Sequence, residues 1–121
     1  MALLTIVDAY VSKVLDHMGR CDMWRDTLLI VNTDHGFLLG EHDFWAKNRM
    51  NMYEEIVHIP LFVHDPRAPG AGRVDRLTQS IDMAPTILDL FGIAPPEETQ
   101  GRSLLRDEAR EAVIFGYFGG A

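Results

Sequence analysis

Thr27-Leu-Leu-Ile-Val-Asn-Thr-Asp-His-Gly36 decides how the rest of the chain is read. Residues 28–31 form an unbroken apolar run of β-formers, not an alternating one, the pattern of a strand covered on both faces in a parallel sheet. Upstream, Leu3, Val7, Tyr10, Val14 and Met18 recur at helical spacing. Leu4, Val11 and Leu15 widen that stripe, and Asp8, Ser12, Lys13 and Asp16 fall mostly opposite it. This predicts an amphipathic helix ending near Gly19. Helix followed by buried strand implies an α/β protein.

Downstream, residues 34–51 turn to Gly, His, Asp, Asn, Lys and Arg with interspersed aromatics, a long irregular connection of the kind that carries function. A second strand is expected over Ile59–His64, with Pro60 near its start, where a missing amide donor is tolerated. Residues 65–72 hold two Pro and two Gly and read as a loop. Arg76–Ile81 suits a short strand. Asp82 suits the N-cap of a helix through Phe91, with Pro85 in its first turn and Gly92 closing it. Pro95-Pro96 reads as a rigid linker and 112–118 as a final strand.

The whole chain has 121 residues, 11 Lys plus Arg against 18 Asp plus Glu, a formal charge of -7 and 47% apolar residues. A chain of this size buries about two-thirds of the surface its unfolded form exposes, enough for a modest core. With one cysteine, Cys21, an internal disulfide is excluded and the redox compartment stays open. Acidity and scattered basic residues argue against nucleic acid as a partner. No stretch approaches the roughly 20 apolar residues of a membrane span. Met1–Tyr10 lacks a basic leader and a small-residue cleavage site, so it does not read as a signal peptide. The compartment is unassigned, cytoplasmic if Met1 is the genuine start.

Asp34 and His35 fall just past the carboxyl end of the expected strand, where open α/β sheets collect ligands. A carboxylate and an imidazole on consecutive irregular residues can reach one divalent ion, with Gly36 supplying backbone freedom. An Asx-type turn accounts for the same three residues without any metal.

The run Thr33-Asp-His-Gly-Phe-Leu-Leu-Gly-Glu-His-Asp-Phe-Trp-Ala-Lys47, followed by Tyr53-Glu-Glu55 and Ile59-Pro-Leu-Phe-Val63, resembles the sulfatase family of the alkaline-phosphatase-like superfamily. Ser80-Ile-Asp-Met-Ala-Pro-Thr-Ile-Leu-Asp-Leu90 is similar to that family's Val-Asp-Leu-x-Pro-Thr helix, and Gly101-x-Ser-Leu-Leu105 to its following loop. The resemblance extends roughly from Ile6 to Phe118. It implies an α/β fragment, a partial alkaline-phosphatase-like sheet with flanking helices, truncated at both ends. Residues 1–92 would be the core portion, and 93–121 a linker and the start of a C-terminal portion.

By that resemblance Asp34 and His35 correspond to metal ligands and Lys47 to the ammonium that contacts a sulfate or phosphate oxygen. His42 is a weaker candidate for an outer contact or proton donor, and a plain surface histidine explains it as well. The implied cofactor is a divalent metal. Nitrogen ligation favours manganese, zinc or iron, with calcium a less preferred guest. One Asp and one His alone bind an ion poorly, so the chain by itself is expected to hold it weakly or not at all. The implied substrate is a small-molecule sulfate or phosphate ester. Asp43 and Ala46 depart from the family, standing where Gly is frequent. The formylglycine, Ser or Thr nucleophile and its Cys-x-Pro-Ser-Arg setting are missing. Cys21-Asp-Met-Trp-Arg25 has the Cys and Arg without the Pro and Ser and reads as coincidence.

The expectation is therefore a sulfuric ester hydrolase portion that is inactive alone. The rivals are a phosphonate or phosphodiester hydrolase of the same superfamily and a non-catalytic truncated interaction module. Self-association, or pairing with a missing N-terminal half, would cover its open surfaces. Glu54 and Glu55 read as solvated or capping carboxylates, and His17, His58 and His64 as ordinary polar positions. Trp24, Phe44 and Trp45 are either a substrate wall or, more commonly for aromatics beside a strand, packing.

Overall fold

The computed structural model describes residues 2–47, 51–68 and 70–116. In chain order run helix α1 (Ala2–Arg20), strand β1 (Leu29–Asn32), the two-residue strands β2 (Leu38–Leu39) and β3 (Trp45–Ala46), the single turn α2 (Glu54–Val57), strand β4 (Leu61–His64) and helix α3 (Met83–Leu90). Short 3-10 turns cover Met23–Arg25, Glu41–Asp43 and Ser80–Asp82. The chain divides into two compact units, Met1–Val31 with Phe62–Ala71, and Asn32–Leu61 with Gly72–Ala121.

In the first unit α1 forms where the apolar period predicts it, and β1 pairs with β4 in a two-stranded sheet. Periodicity marks a face, however, and does not say what covers it. Of the stripe Met18 is buried, whereas Leu3, Leu4, Val7, Tyr10 and Val14 are each more than half exposed. Leu29, Ile30 and Val31 are likewise half-buried and not enclosed, because a two-stranded sheet has too few neighbours to cover both faces. His64 is structural: its Nε2 lies 3.0 Å from the Trp24 carbonyl, and its ring sits edge-on to the indole at 4.9 Å. Cys21 Sγ contacts His17 Nε2 at 3.5 Å, while Arg25 turns to Asp22 at 3.4 Å, so the Cys and Arg of Cys21–Arg25 do not assemble. No described helix is long and apolar enough to cross a membrane.

In the second unit the β2–β3 hairpin is antiparallel, with Leu38 opposite Ala46 and Leu39 opposite Trp45. Strand alternation sends Leu38 inward. It is fully buried against Ile56, with Met52, Tyr53 and Val57 packed around the pair. The same alternation turns Leu39 and Trp45 outward, and Trp45 is 72% exposed. Packing against a sheet, the commoner fate expected for Trp45, is not what this residue does.

Around α3 three expectations change. Arg76–Ile81 forms no strand; the chain runs irregularly and tightens into the 3-10 turn Ser80–Asp82. Asp82 stands at the N-cap position of α3 as expected, but it is already helical (φ -74°, ψ -16°) and its side chain makes no cap bond to that helix. Its carboxylate is buried and instead accepts from the amides of Gln79 and Arg102, both at 2.8 Å, and from Arg110 Nη2 at 2.5 Å. A buried carboxylate needs such partners, and three segments converge on this one to provide them. Thr86 Oγ1 donates to the Asp82 carbonyl and accepts the Leu104 amide, so residues 101–110 lace back onto α3. Gly101 permits this: a Cβ there would stand 2.1 Å from the Ile81 carbonyl oxygen. Gly92 (φ 68°) closes α3 as expected, with Ile93 N–H bonded to the Leu88 carbonyl and Gly92 N–H to that of Asp89.

The final strand expected over 112–118 is also absent where described. Residues 112–116 are irregular, and Tyr117 and Phe118 lie outside the described residues. A strand needs a neighbour for its backbone groups. Here the Ile114 carbonyl takes the Gln79 side-chain amide instead.

Candidate metal and anion site

The chain leaves β1 in a turn that the second unit grips by its backbone. Gly36 N–H donates to the Ile56 carbonyl at 2.8 Å, seating the turn against α2. A Cβ on Gly36 would lie 1.7 Å from the Glu55 carbonyl oxygen. Gly36 is not at positive φ, so the backbone freedom expected of it is not its role; its role is the missing Cβ. The Asx-turn alternative also falls away. It needs the Asp34 carboxylate on the Gly36 amide, and that amide is taken by Ile56.

Within this turn Asp34 Oδ1 accepts the His35 amide at 3.0 Å. His35 Nδ1 lies 2.8 Å from the Gly36 carbonyl, a contact that only an Nδ1–H donor can satisfy. That bond fixes the tautomer and leaves the Nε2 lone pair as an acceptor. Asp34 Oδ2 lies 3.2 Å from that same Nε2. Two acceptors facing each other at this distance call for a cation, and Lys47 brings its ammonium into contact with Nε2. Desolvation pushes the Asp34 carboxyl up, but the charge His35 carries when protonated, the Asp34 and His35 amides and the Lys47 ammonium together hold it below the usual carboxylate value.

The structure thus brings together three of the four residues singled out in the sequence, from positions 12 and 13 apart in the chain for the Lys47 approach. One carboxylate oxygen and one imidazole nitrogen stand 3.2 Å apart, with the ring oriented by a second hydrogen bond, a pair of donor types that divalent cations accept. No group of three or more His, Cys, Asp or Glu gathers around one point among the described residues.

His42, the fourth candidate, is engaged elsewhere. Its ring stacks on Tyr53 at 3.8 Å with the planes 7° apart, and its Nε2 sits 3.2 Å from both oxygens of Glu55. Phe44 leans on the same Tyr53 at 6.3 Å. Glu55 is therefore a residue that sequence reasoning set aside, because a glutamate 13 positions from its histidine leaves no signal in spacing. Glu54, its neighbour, does behave as a local carboxylate, paired with His58 at 2.8 Å. The loop between β2 and β3 is backbone-strained. His42 (φ 55°), Asp43 (φ 61°) and Ala46 (φ 94°) are all left-handed without being glycine, at about 1–2 kcal/mol each. Asp43 and Ala46 are the two positions where the resembled family frequently has Gly. Glu41 ties the base of the loop by accepting the Leu39 amide, which holds its own carboxyl below the usual value.

Helices, short strands and a polar turn just past a strand place the chain in the α/β class. Comparison with known proteins narrows it. The Sulfatase family model matches residues 1–93. An N-acetylglucosamine-6-O-sulfatase of Bacteroides thetaiotaomicron is 33% identical over 105 residues, covering 86% of this chain and 18% of that protein. The multifunctional alkaline phosphatase superfamily protein PehA of Trinickia caryophylli is 36% identical over 105 residues, covering 85% of this chain and 20% of that protein. The solved structure of BT4656 in complex with its substrate D-glucosamine-2-N,6-O-disulfate superposes with a TM-score of 0.75 at 31% identity, covering 93% of this chain and 24% of that one. The chain belongs to the sulfatase family. It spans about a fifth of the length of the curated relatives it matches. The family in general uses a divalent metal, and sulfate esters are the substrates of its sulfatases.

Proposed function

We propose that this chain carries part of the metal and sulfate site of a sulfuric ester hydrolase, with Asp34 and His35 as metal ligands and Lys47 as the anion contact. The observation that carries this reading is that Asp34 Oδ2 and the Lys47 ammonium both lie beside His35 Nε2, with His35 Nδ1 tied back to Gly36. When bound, a divalent cation supplies Lewis-acid polarisation of an ester oxygen. Asp34 and His35 hold and orient it. Lys47 neutralises the negative charge that builds on sulfate oxygens as the ester bond breaks. His42, held by Tyr53 and Glu55, is given no role in this reading. The nucleophile has no counterpart among these residues, so the chain alone turns over neither aryl sulfates nor phosphate esters.

The test is a Mn2+ titration of the chain labelled with 15N-histidine. Paramagnetic broadening is expected first at His35 and is expected to vanish in Asp34→Ala. A His35 signal untouched by Mn2+, or broadened equally in Asp34→Ala, refutes the ligand assignment. Sustained ester hydrolysis by the chain, abolished by Asp34→Ala, refutes its inactivity. The similarity to a protein named as a multifunctional member of the alkaline phosphatase superfamily keeps a second reading in view, a phosphonate or phosphodiester hydrolase of that superfamily in which these residues would take the same roles.

A further inference from the structure

The two halves of the proposed site share one anchor. Gly36 hangs the Asp34–His35 turn on the backbone of α2 through the Ile56 carbonyl, and the approach is so close that no side chain fits between them. The loop that delivers Lys47 is held by side chains of the same turn: Tyr53 stacks on His42 and touches Phe44, and Glu55 binds His42 through both oxygens. Between those contacts lie His42 and Asp43, with Ala46 just beyond, all three at positive φ. Three non-glycine residues in that region within five positions persist only where the surroundings over-determine them, and such clusters occur where geometry serves a function. Ala46 lies on the inward face opposite the buried Leu38, and its left-handed backbone interrupts the strand just before Lys47, whose ammonium then meets His35.

We infer that Tyr53 and Glu55 are positioning residues: by clamping His42 they hold the strained loop so that Lys47 meets His35, and α2 sets the spacing of the two halves. This rests on the role proposed for Lys47, and it assigns Tyr53 and Glu55 no contact with substrate.

The experiment reads the 15N shift of His35 Nε2 in the 15N-histidine chain. Lys47→Met defines the displacement that accompanies loss of the ammonium. Glu55→Ala and Tyr53→Leu are expected to reproduce at least half of it, while Tyr53→Phe, which keeps the stacked ring, leaves the signal in place. Adding Asp43→Gly and Ala46→Gly to Glu55→Ala is expected to restore the parental signal, because glycine adopts the turn without a clamp. A residue that only packs would not be rescued in this way. The inference is overturned if His35 keeps its parental shift in Glu55→Ala and Tyr53→Leu while the His42 signals move. It is overturned equally if Glu55→Ala loses its shift or its fold and the glycine pair restores neither. The metal reading fails separately: absence of Mn2+ broadening in the parent removes it without touching the Lys47→Met comparison.

Discussion

Replacing Gly36 by alanine tests the seat on which both halves of the site depend. The added Cβ would meet the Glu55 carbonyl oxygen at 1.7 Å, its carbon at 2.7 Å and Ile56 Cα at 3.0 Å. Comfortable non-bonded contact begins at about 3.5 Å, so the turn and α2 must part by ~2 Å. Parting breaks the 2.8 Å bond from Gly36 N–H to the Ile56 carbonyl, which leaves buried polar groups short of a partner at about 1–3 kcal/mol. It also strains the Leu38–Ile56 packing, for which overpacked cores give a further 1–3 kcal/mol or so. The loss of unfolded-state entropy that favours alanine over glycine returns only about 0.4–1 kcal/mol. Gly36→Ala should therefore lower unfolding stability by about 1–6 kcal/mol. Gly72→Ala is the internal control: nothing lies within 4 Å of its would-be Cβ, and its φ is not positive. That variant should be neutral or gain up to about 1 kcal/mol. Urea unfolding followed by circular dichroism, with the slope fitted for each variant, measures both. A Gly36→Ala midpoint matching that of Gly72→Ala would refute the close-approach account and, with it, the role of α2 as anchor.

The opposite sign is expected at Ala46, where relief of the left-handed backbone at φ 94° outweighs the entropic penalty of glycine. Ala46→Gly should stabilise by about 1 kcal/mol, raising the thermal midpoint by a few degrees; a lower midpoint would mean the backbone there is not strained. Asp65 should shape the acid limb of stability. Hydrogen bonds from Arg67, at 2.9 Å from both Nε and Nη2, hold the Asp65 carboxyl below its ordinary value against some desolvation. A folded-state value below the unfolded one, about 3.9, means that the contribution is complete above that pH and is lost as pH falls through the lowered value. Arg67→Met should flatten acid unfolding in that window, and an unchanged acid limb would count against the pairing. The open α1 stripe should drive self-association, with Val7→Lys and Val14→Glu together shifting sedimentation toward the monomer; a parent already monomeric at high concentration would contradict this.

The residues that the structure gathers around His35 could be named before any coordinates. Asp34 and His35 follow a run of β-formers that marks where a strand ends, and Lys47 was named through the family resemblance. The α1 period, the Gly92 stop of α3 and the strand after Pro60 are local signals, and local signals survive because backbone sterics and capping act over a few residues. The errors share a cause. Asp82 looks like a cap and is a buried hub, and 76–81 and 112–118 look like strands without having ladders where described, because burial and strand pairing depend on residues remote in the chain.

Chain order alone singled out Asp34, His35 and Lys47 as candidates, the last through the family resemblance, and marked roughly where helices begin and end, since those limits follow from residue type and short-range spacing. Only the tertiary structure decided that His35 turns Nδ1 inward and Nε2 toward Asp34 and Lys47, and that Glu55 reaches His42. It alone shows that Gly36 serves close approach and not a left-handed turn. Those outcomes are set by hydrogen-bond partners and excluded volume contributed from distant positions, and neither quantity is a property of any single stretch of sequence.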